Sequence, residues 1–218
     1  MRRVVPIGFI VAEAVLYAAF LGMDLAGAGP STVPVKYAGI LLCVLFALYA
    51  ALRGGDRLVL PALLLTAAAD WFLLVRNDRY NLGVALFLCV QTVYYLRLRR
   101  LGAGSGWFLR AALALLAGAG LYVLHMATPL NLLAGLYFSQ LLSNTLLAWS
   151  VKKKSLTLFA LGLTLFAGCD VCVGLTNSGL VPPEALRFVS VGMWLFYLPS
   201  QVLIALSALP KEDDHETE

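Results

Sequence analysis

Long apolar segments dominate this chain, and short polar connections separate them. The apolar segments are continuous, without the two-residue alternation of barrel strands, and most approach the roughly 20 residues that a helix needs to cross a bilayer. The connections are rich in glycine, proline and charged residues, which supply the turns that a helix cannot make. The pattern predicts eight transmembrane helices, over residues 4–23, 35–52, 58–75, 82–98, 107–126, 129–150, 155–175 and 185–208.

The composition fits the same class of protein. The 218 residues are 61% hydrophobic and only 13% charged, with a mean hydropathy of +0.86, whereas soluble domains carry about 25% charged residues. These values exclude an ordinary soluble globule, a disordered chain and a nucleic-acid-binding protein. We therefore expect an all-α polytopic membrane protein, with one transmembrane domain over residues 1–209 and a disordered cytoplasmic tail over residues 210–218.

The basic residues predict how the helices are oriented. With a cytoplasmic N-terminus, twelve of the sixteen Lys and Arg residues fall on the cytoplasmic side, including Arg2, Arg3 and the run Lys152, Lys153 and Lys154. This bias is the one that the positive-inside rule describes. Both termini are then cytoplasmic, and we expect the chain in the plasma or inner membrane. The net charge of +4 needs no acidic partner.

Three carboxyl groups lie well inside the predicted helices, at Glu13, Asp70 and Asp170. A charged side chain at the bilayer centre costs about 2.5–3.5 kcal/mol on insertion scales, so such residues are usually functional. Asp70 and Asp170 belong to the third and seventh helices, which run in the same direction. Both fall in the outer part of their helix, and we expect them at similar depth.

The two aspartates belong to a second coincidence in the sequence. Asp70 is followed seven residues later by Asn77, and Asp170 is followed seven residues later by Asn177. Seven residues make about two helical turns, so each Asn is expected on the face of its Asp. We infer a parallel internal repeat of four plus four helices, with a pseudo-two-fold axis along the membrane normal. Such an axis brings the two aspartates together.

Two facing carboxyl groups can share one proton and titrate as a dyad. One acid then donates a proton while the other carboxylate activates water or stabilises a cation. The alternative is that each aspartate is a neutral, hydrogen-bonded residue of the helix packing, with Thr66, one turn before Asp70, as a partner. Glu13 has no evident mate, and its role stays open.

Further polar residues fall at helical spacing inside the predicted fourth, sixth and eighth helices. They are Gln91, Tyr94, Tyr95, Tyr137, Gln140, Asn144, Tyr197 and Gln201. Interhelical hydrogen bonding explains any one of them, but together they predict a polar chamber. Lys36, Arg76 and Arg79 lie at its outer mouth, where they hold a phosphate or sit at the interface with their charges in water.

Cysteine and histidine provide no sign of a metal or redox cofactor. Cys169 and Cys172 have the spacing of a redox motif, but they lie within an apolar helix, where small packing residues are the simpler interpretation. The two histidines, His125 and His215, are too far apart in the sequence to form a zinc site readily. We expect neither a metal nor another cofactor.

Short motifs give the chain a resemblance to the lysoplasmalogenase family, also called YhhN-like membrane proteins. The motifs extend over nearly the whole chain. They are Lys36, Asp70, Gly83-x-x-x-Phe87, Tyr94, Gly162-x-x-x-Phe166-x-x-x-Asp170 and Tyr197-x-x-x-Gln201-x-Leu203-Ile204-Ala205.

The resemblance implies an eight-helix enzyme without a metal that hydrolyses the vinyl-ether bond of lysoplasmalogens. The products are a fatty aldehyde and glycerophospho-ethanolamine or -choline. It implies Asp70 and Asp170 as the catalytic pair and a lysophospholipid as the partner in the bilayer. We assign substrate contacts to Lys36, Gln91, Tyr94, Tyr137, Tyr197, Gln201, Asn77 and Asn177.

The chain departs from the family pattern at three positions. Gln91 replaces the usual histidine, Ala69 replaces a glycine before the first aspartate, and Tyr37 replaces a proline. These differences leave open another ether-lipid or lysophospholipid substrate. The main alternative function is a small proton-coupled transporter, because intramembrane acids and internal repeats also suit alternating access.

Overall fold

The computed structural model describes residues 4–27, 31–151, 153, 156–179 and 181–210. Within these residues the fold consists of helices and connecting turns. The helices are α1 (Val4–Ala26), α2 (Val33–Leu52), α3 (Val59–Asp70), α4 (Tyr80–Arg100), α5 (Trp107–Val123), α6 (Pro129–Ser150), α7 (Thr157–Ser178) and α8 (Pro183–Leu206). Residues 211–218 of the predicted disordered tail, together with Arg2, Arg3, Lys152 and Lys154, lie outside the described residues.

The helix ends follow local sequence chemistry. Pro129 occupies the first turn of α6, and the Thr128 side chain accepts a hydrogen bond from the Asn131 amide at 3.2 Å. A proline costs nothing there, because the first-turn amide has no partner within the helix. At the end of α7, Gly179 adopts a left-handed conformation with φ of 68°, which only glycine adopts without cost.

One helix ends in a way that hydropathy does not predict. After Asp70 the chain forms a π-helical turn over Trp71–Val75, followed by a loop in which Asn77 and Arg79 have φ of 52° and 49°. A π turn holds more residues than an α turn and is often found at functional sites. The π turn begins directly after the predicted functional residue Asp70, and the helical segment ends with it at Val75.

The helices form a closed arrangement in which α8 is central. α8 packs against α7 along its length and also contacts α1, α2 and α3, while α4 packs against α3 and α6, and α5 packs on α6. The two ends of the bundle are named here after Asp24 and Asp56, one of which lies at each end. The Asp24 end carries the α1–α2, α3–α4, α5–α6 and α7–α8 connections, and the Asp56 end carries the others.

Helix neighbours in the two halves correspond in part. The contacts of α2 with α3 and of α3 with α4 match those of α6 with α7 and of α7 with α8, and the contact of α4 with α6 matches that of α8 with α2. The contact of α1 with α2 likewise matches that of α5 with α6, but α1 also packs against α8. This pattern agrees with a four-plus-four repeat, which stays a prediction.

The outer surface of the bundle suits a lipid environment. Among the residues that the structure describes, five helices (α1, α2, α4, α7 and α8) are long and apolar enough to cross a membrane, and α5 and α3 with its π turn are shorter apolar helices. Large apolar side chains such as Trp107, Leu115 and Phe188 are more than two-thirds exposed. Such a surface is an aggregation hazard in water and a lipid contact in a bilayer. The prediction of an all-helical membrane protein is confirmed at this level.

Candidate active site

The first predicted catalytic residue, Asp70, lies buried at the end of α3. Its side chain is 5% exposed and accepts a hydrogen bond from the Tyr197 hydroxyl at 2.7 Å. Tyr197 lies on α8, so this bond joins the two helices directly. The π turn begins at the next residue, Trp71, and places Asp70 at the junction of two helical geometries.

The second predicted catalytic residue, Asp170, lies on α7 and has its own tyrosine. The Tyr137 hydroxyl, on α6, donates to Asp170 Oδ2 at 2.5 Å. Asp70 and Asp170 lie close enough to interact electrostatically. A bond from a rigid tyrosine fixes the orientation of a carboxyl group, as a preorganised site requires.

An aromatic side chain fills the space between the two tyrosine–aspartate pairs. The Phe166 ring centroid lies 5.5 Å from that of Tyr197 and 6.5 Å from that of Tyr137. Phe87 packs against both Phe166 and Tyr137, with centroids at 5.6 Å. Aromatic rings in this arrangement leave little freedom for either tyrosine, so the two carboxyl groups are held by a packed apolar shell.

Lys36 lies at the Asp24 end of the bundle and is linked to the site through an aromatic ring. Its ammonium group pairs with Asp24 at 2.6 Å and lies over Trp194, 4.9 Å from the ring centroid. Trp194 in turn meets Tyr197 edge-on at 5.3 Å. Lys36 is 8% exposed, so its positive charge is buried among α1, α2 and α8.

The other two predicted phosphate-binding residues lie in the loop after the π turn. Arg76 donates hydrogen bonds to Asp78 at 2.9–3.2 Å, and Arg79 is exposed. Both are at the same end of the bundle as Lys36. The structure shows no hydrogen bond or ion pair from either arginine to Asp70 or Asp170.

Gln91 belongs to a separate polar network between α4, α5 and α6. Its side-chain oxygen accepts from the Asn144 amide at 2.9 Å, and Arg110 donates to Asn144 at 2.5 Å and to Gln140 at 2.7 Å. Arg110 also stacks over Tyr95 at 4.2 Å. This network explains several predicted polar residues as helix-packing contacts.

Tyr94 and Gln201 are fully buried near the site and do not bond to either aspartate. Tyr94 packs edge-on against Phe159 with centroids 5.2 Å apart, and its hydroxyl is a neighbour of Thr66 without hydrogen-bond geometry between them. Gln201 donates from its amide nitrogen to Ser200 Oγ at 3.1 Å. The suggested bond from Thr66 to Asp70 is not formed.

Comparison with known proteins decides the family. A family model described as the YhhN family matches residues 31–208. The chain belongs to the YhhN family. That family includes lysoplasmalogenases, which confirms the resemblance drawn from the motifs. No curated protein and no solved structure matches the chain.

The expected placement of Asn77 on the helical face of Asp70 is wrong in this YhhN-family chain, whereas Asn177 stays in the same helix as Asp170. Asn77 lies in the loop beyond the π turn, is exposed, and accepts a hydrogen bond from Tyr80 at 2.8 Å. Asn177 remains on α7 but is exposed, and its amide donates to the Val173 carbonyl oxygen at 2.8 Å. The seven-residue spacing assumes an uninterrupted α-helix after Asp70, and the π turn breaks that assumption.

The third buried carboxyl group of the YhhN-family chain, Glu13, has a partner on α2. Glu13 is 3% exposed and accepts from the Cys43 thiol at 3.3 Å, while its second oxygen has no partner. Cys169 and Cys172 are free thiols. Within the described residues no group of His, Cys, Asp and Glu is arranged to hold a metal ion.

Sequence reasoning missed two neighbours of the site in this YhhN-family chain. Trp194 links Lys36 to Tyr197, and Tyr37 lies beside Asp70 and donates to the Ala67 carbonyl oxygen at 3.2 Å. The shift of 100 residues that relates Asp70 to Asp170 also relates Tyr37 to Tyr137. That match was a signal for a tyrosine beside each aspartate.

Proposed function

We propose that this protein is an integral-membrane ether hydrolase that cleaves the vinyl-ether bond of a lysoplasmalogen. The observation that carries the proposal is a pair of neighbouring aspartates, buried Asp70 and half-buried Asp170, each held by a tyrosine hydroxyl from a different helix. Membership of a family that includes lysoplasmalogenases supports this substrate class.

The reaction needs an acid and a base at close range. One aspartic acid protonates the vinyl carbon distal to oxygen, so a C–H bond forms as the C=C π bond breaks and an oxocarbenium ion results. The other aspartate, ionised, stabilises this cation and then takes a proton from the attacking water as the C–O bond forms. The hemiacetal breaks its bond to the glycerol oxygen, which receives a proton, and releases the aldehyde.

The remaining predicted residues have supporting roles in this proposal. Lys36 binds the lipid phosphate, which competes with Asp24 for the ammonium group. Arg76 and Arg79 attract the head group at the same end of the bundle. Tyr137 and Tyr197 orient the carboxyl groups. Tyr94 and Gln201 line the chamber next to them, and Gln91 belongs to the polar network beside it.

The proposal includes the arrangement of the chain in the membrane. All eight helices cross the bilayer in a four-plus-four repeat, and both termini are cytoplasmic. The Asp24 end, with Lys36 and the two loop arginines, then faces away from the cytoplasm, and the more basic Asp56 end faces it.

The test is aldehyde release from a lysoplasmalogen by the purified protein. We expect activity in the wild type and a loss of at least about a hundredfold in Asp70→Asn and in Asp170→Asn, because each removes one partner of the proton transfer. Glu13→Gln is the matched control: it alters a buried carboxyl group on α1 that is bonded to Cys43, and it should retain activity. A saturated alkyl-ether lysolipid should not react.

Two results would contradict the proposal. Full activity in both aspartate variants would remove the pair from the mechanism. Proton-driven solute uptake by the protein in liposomes, without any lipid turnover, would assign the same acids to transport.

A further inference from the structure

Three fully buried polar side chains beside the aspartate pair each have an atom without a hydrogen-bond partner. The atoms are Thr66 Oγ1, Tyr94 OH and Gln201 Oε1, and all three residues are 0% exposed. An unpaired buried polar atom is costly, and native proteins usually satisfy it with protein or with bound water. Three of them in one region therefore indicate a ligand with hydrogen-bonding capacity.

The helix geometry places these atoms in one layer next to Asp70. α3 and α8 run in opposite directions, and the bond from Tyr197 to Asp70 fixes their relative height. Thr66 lies four residues before Asp70, and Gln201 lies four residues after Tyr197, so both are one turn further towards the Asp56 end, on the same helix faces. Tyr94 joins this layer from α4, as a neighbour of Thr66.

The chemistry of the layer matches a water molecule. Thr66 and Tyr94 offer hydroxyl groups that donate or accept, and Gln201 offers a carbonyl oxygen that only accepts. The amide nitrogen of Gln201 is bonded to Ser200 Oγ at 3.1 Å, so its oxygen has a fixed direction. A buried water makes two to four hydrogen bonds, and three unpaired groups in one layer are enough to supply this number.

We propose that Thr66, Tyr94 and Gln201 bind the water that attacks the oxocarbenium ion. The inference rests on the proposed hydrolase function and adds the source of its nucleophile. A water held one helical turn from the Asp70 carboxyl group is already beside the reacting atoms. It does not have to cross the apolar region that the lipid chain occupies. Hydrogen bonds to the three residues would orient this water and favour it over other nucleophiles.

The test measures which nucleophile captures the cation. In water containing methanol, capture by water yields the aldehyde, whereas capture by methanol forms a C–O bond to methanol, loses the methanol proton to the carboxylate and leaves a stable mixed acetal. Mass spectrometry of the lipid products gives the ratio of the two. This ratio is independent of the slow step, which in ordinary vinyl-ether hydrolysis is protonation of carbon.

We expect Thr66→Val, Tyr94→Phe and Gln201→Leu each to lower the aldehyde-to-acetal ratio by about three- to tenfold, which is the factor that corresponds to the loss of one hydrogen bond. Thr145→Val is the matched control, because the Thr145 hydroxyl is bonded to the Leu141 carbonyl oxygen at 2.8 Å within α6. Its ratio should equal that of the wild type. Tyr94→Phe removes one oxygen atom and is the variant least able to disturb folding, which thermal unfolding checks.

The outcomes separate this inference from the proposed function. An active wild type whose ratio is unchanged in Tyr94→Phe and in the other folded variants overturns the water site alone. A raised KM for the lipid with an unchanged ratio assigns the three groups to the substrate and overturns it too. A wild type that releases no aldehyde contradicts the hydrolase itself.

Discussion

At the scale of single residues, the central feature is a set of two tyrosine–aspartate hydrogen bonds that joins four helices. Tyr137 and Tyr197 each donate to one aspartate, and Phe166 packs against both tyrosines. A hydrogen bond to an ionised group contributes more than one between neutral groups. The tyrosines therefore act as positioning residues through the carboxyl groups that they hold.

Removal of either tyrosine hydroxyl should slow the reaction. We expect Tyr137→Phe and Tyr197→Phe each to lower kcat for aldehyde release by about ten- to a hundredfold, the weight of a hydrogen bond to a charged group. The pH profile of kcat should shift as well, because the bond acts on the protonation of its aspartate. Steady-state kinetics across a pH series measures both effects.

Tyr80→Phe is the control for this prediction. Tyr80 is 45% exposed and its hydroxyl is bonded to Asn77 at 2.8 Å, away from the aspartates. Unchanged kcat and pH profiles in both buried-tyrosine variants would show that these hydroxyls serve packing alone.

The sequence identifies the aspartates but not their partners. A carboxyl group inside an apolar helix is conspicuous because its insertion is costly, so Asp70 and Asp170 are visible without a structure. Which tyrosine meets which aspartate depends on helix packing, which hydropathy does not encode. Asn77 shows the same limit, because nothing in the apolar run announces that Trp71–Val75 forms a π turn.

At the scale of elements, two glycines allow helices to approach closely beside the site. A Cβ atom on Gly162 of α7 would lie 3.0 Å from the Ser200 carbonyl oxygen and 2.8 Å from Ile204 Cγ1, both on α8. A Cβ atom on Gly83 of α4 would lie 2.5 Å from Leu73 Cγ in the π turn. These contacts set the positions of Tyr197 and Asp70.

Gly162→Ala should therefore separate α7 from α8 and disturb both the stability and the site. We expect a loss of about 1–3 kcal/mol in the free energy of unfolding, typical of overpacking, and lower aldehyde release. Thermal unfolding in detergent and the activity assay measure the two effects.

Gly174→Ala, in the same helix, is the matched control. A Cβ atom there has nothing within 4 Å, and alanine favours a helix by about 0.5–1 kcal/mol over glycine. Equal effects of the two substitutions would contradict the proposed close packing.

The bounds of the helices were largely predictable, because apolar runs between glycine and proline turns have few other interpretations. The predicted segment 82–98 corresponds to α4, and 129–150 coincides with α6. The predicted fifth helix ends three residues late, since α5 stops at Val123 and His125 adopts φ of 54°. An apolar run does not mark such a turn.

At the scale of the whole molecule, an arginine ties distant parts of the chain together at the Asp56 end. Arg97 on α4 donates a hydrogen bond to the Asp56 carboxylate at 2.7 Å. It also donates to the Ser207 hydroxyl oxygen at 2.8 Å and to the Ser207 backbone carbonyl oxygen at 2.7 Å. Its guanidinium also lies over the Phe159 ring of α7 at 4.2 Å. At the opposite end, the pair of Lys36 with Asp24 joins α1 to α2.

Arg97→Lys should destabilise the bundle although it keeps the charge. A lysine cannot make the forked contacts of a guanidinium, so Ser207 loses its partners, and we expect a loss of about 1–3 kcal/mol in the free energy of unfolding, the cost of unpaired buried hydrogen-bonding groups. Arg99→Lys is the control, because Arg99 is exposed and donates to the Ala103 carbonyl oxygen. Thermal unfolding of both variants decides between an essential and a dispensable arginine.

The bond between Tyr197 and Asp70 spans 127 positions along the chain, and this separation has a consequence for biosynthesis. Until α8 has been translated, the Asp70 carboxyl group lacks the hydrogen-bond donor that the folded protein provides. Only the arrival of the final segment completes the constellation. Under the proposed function, a stalled nascent chain that lacks α8 therefore cleaves membrane lipids more slowly than the assembled bundle, because Asp70 has no hydrogen-bond donor.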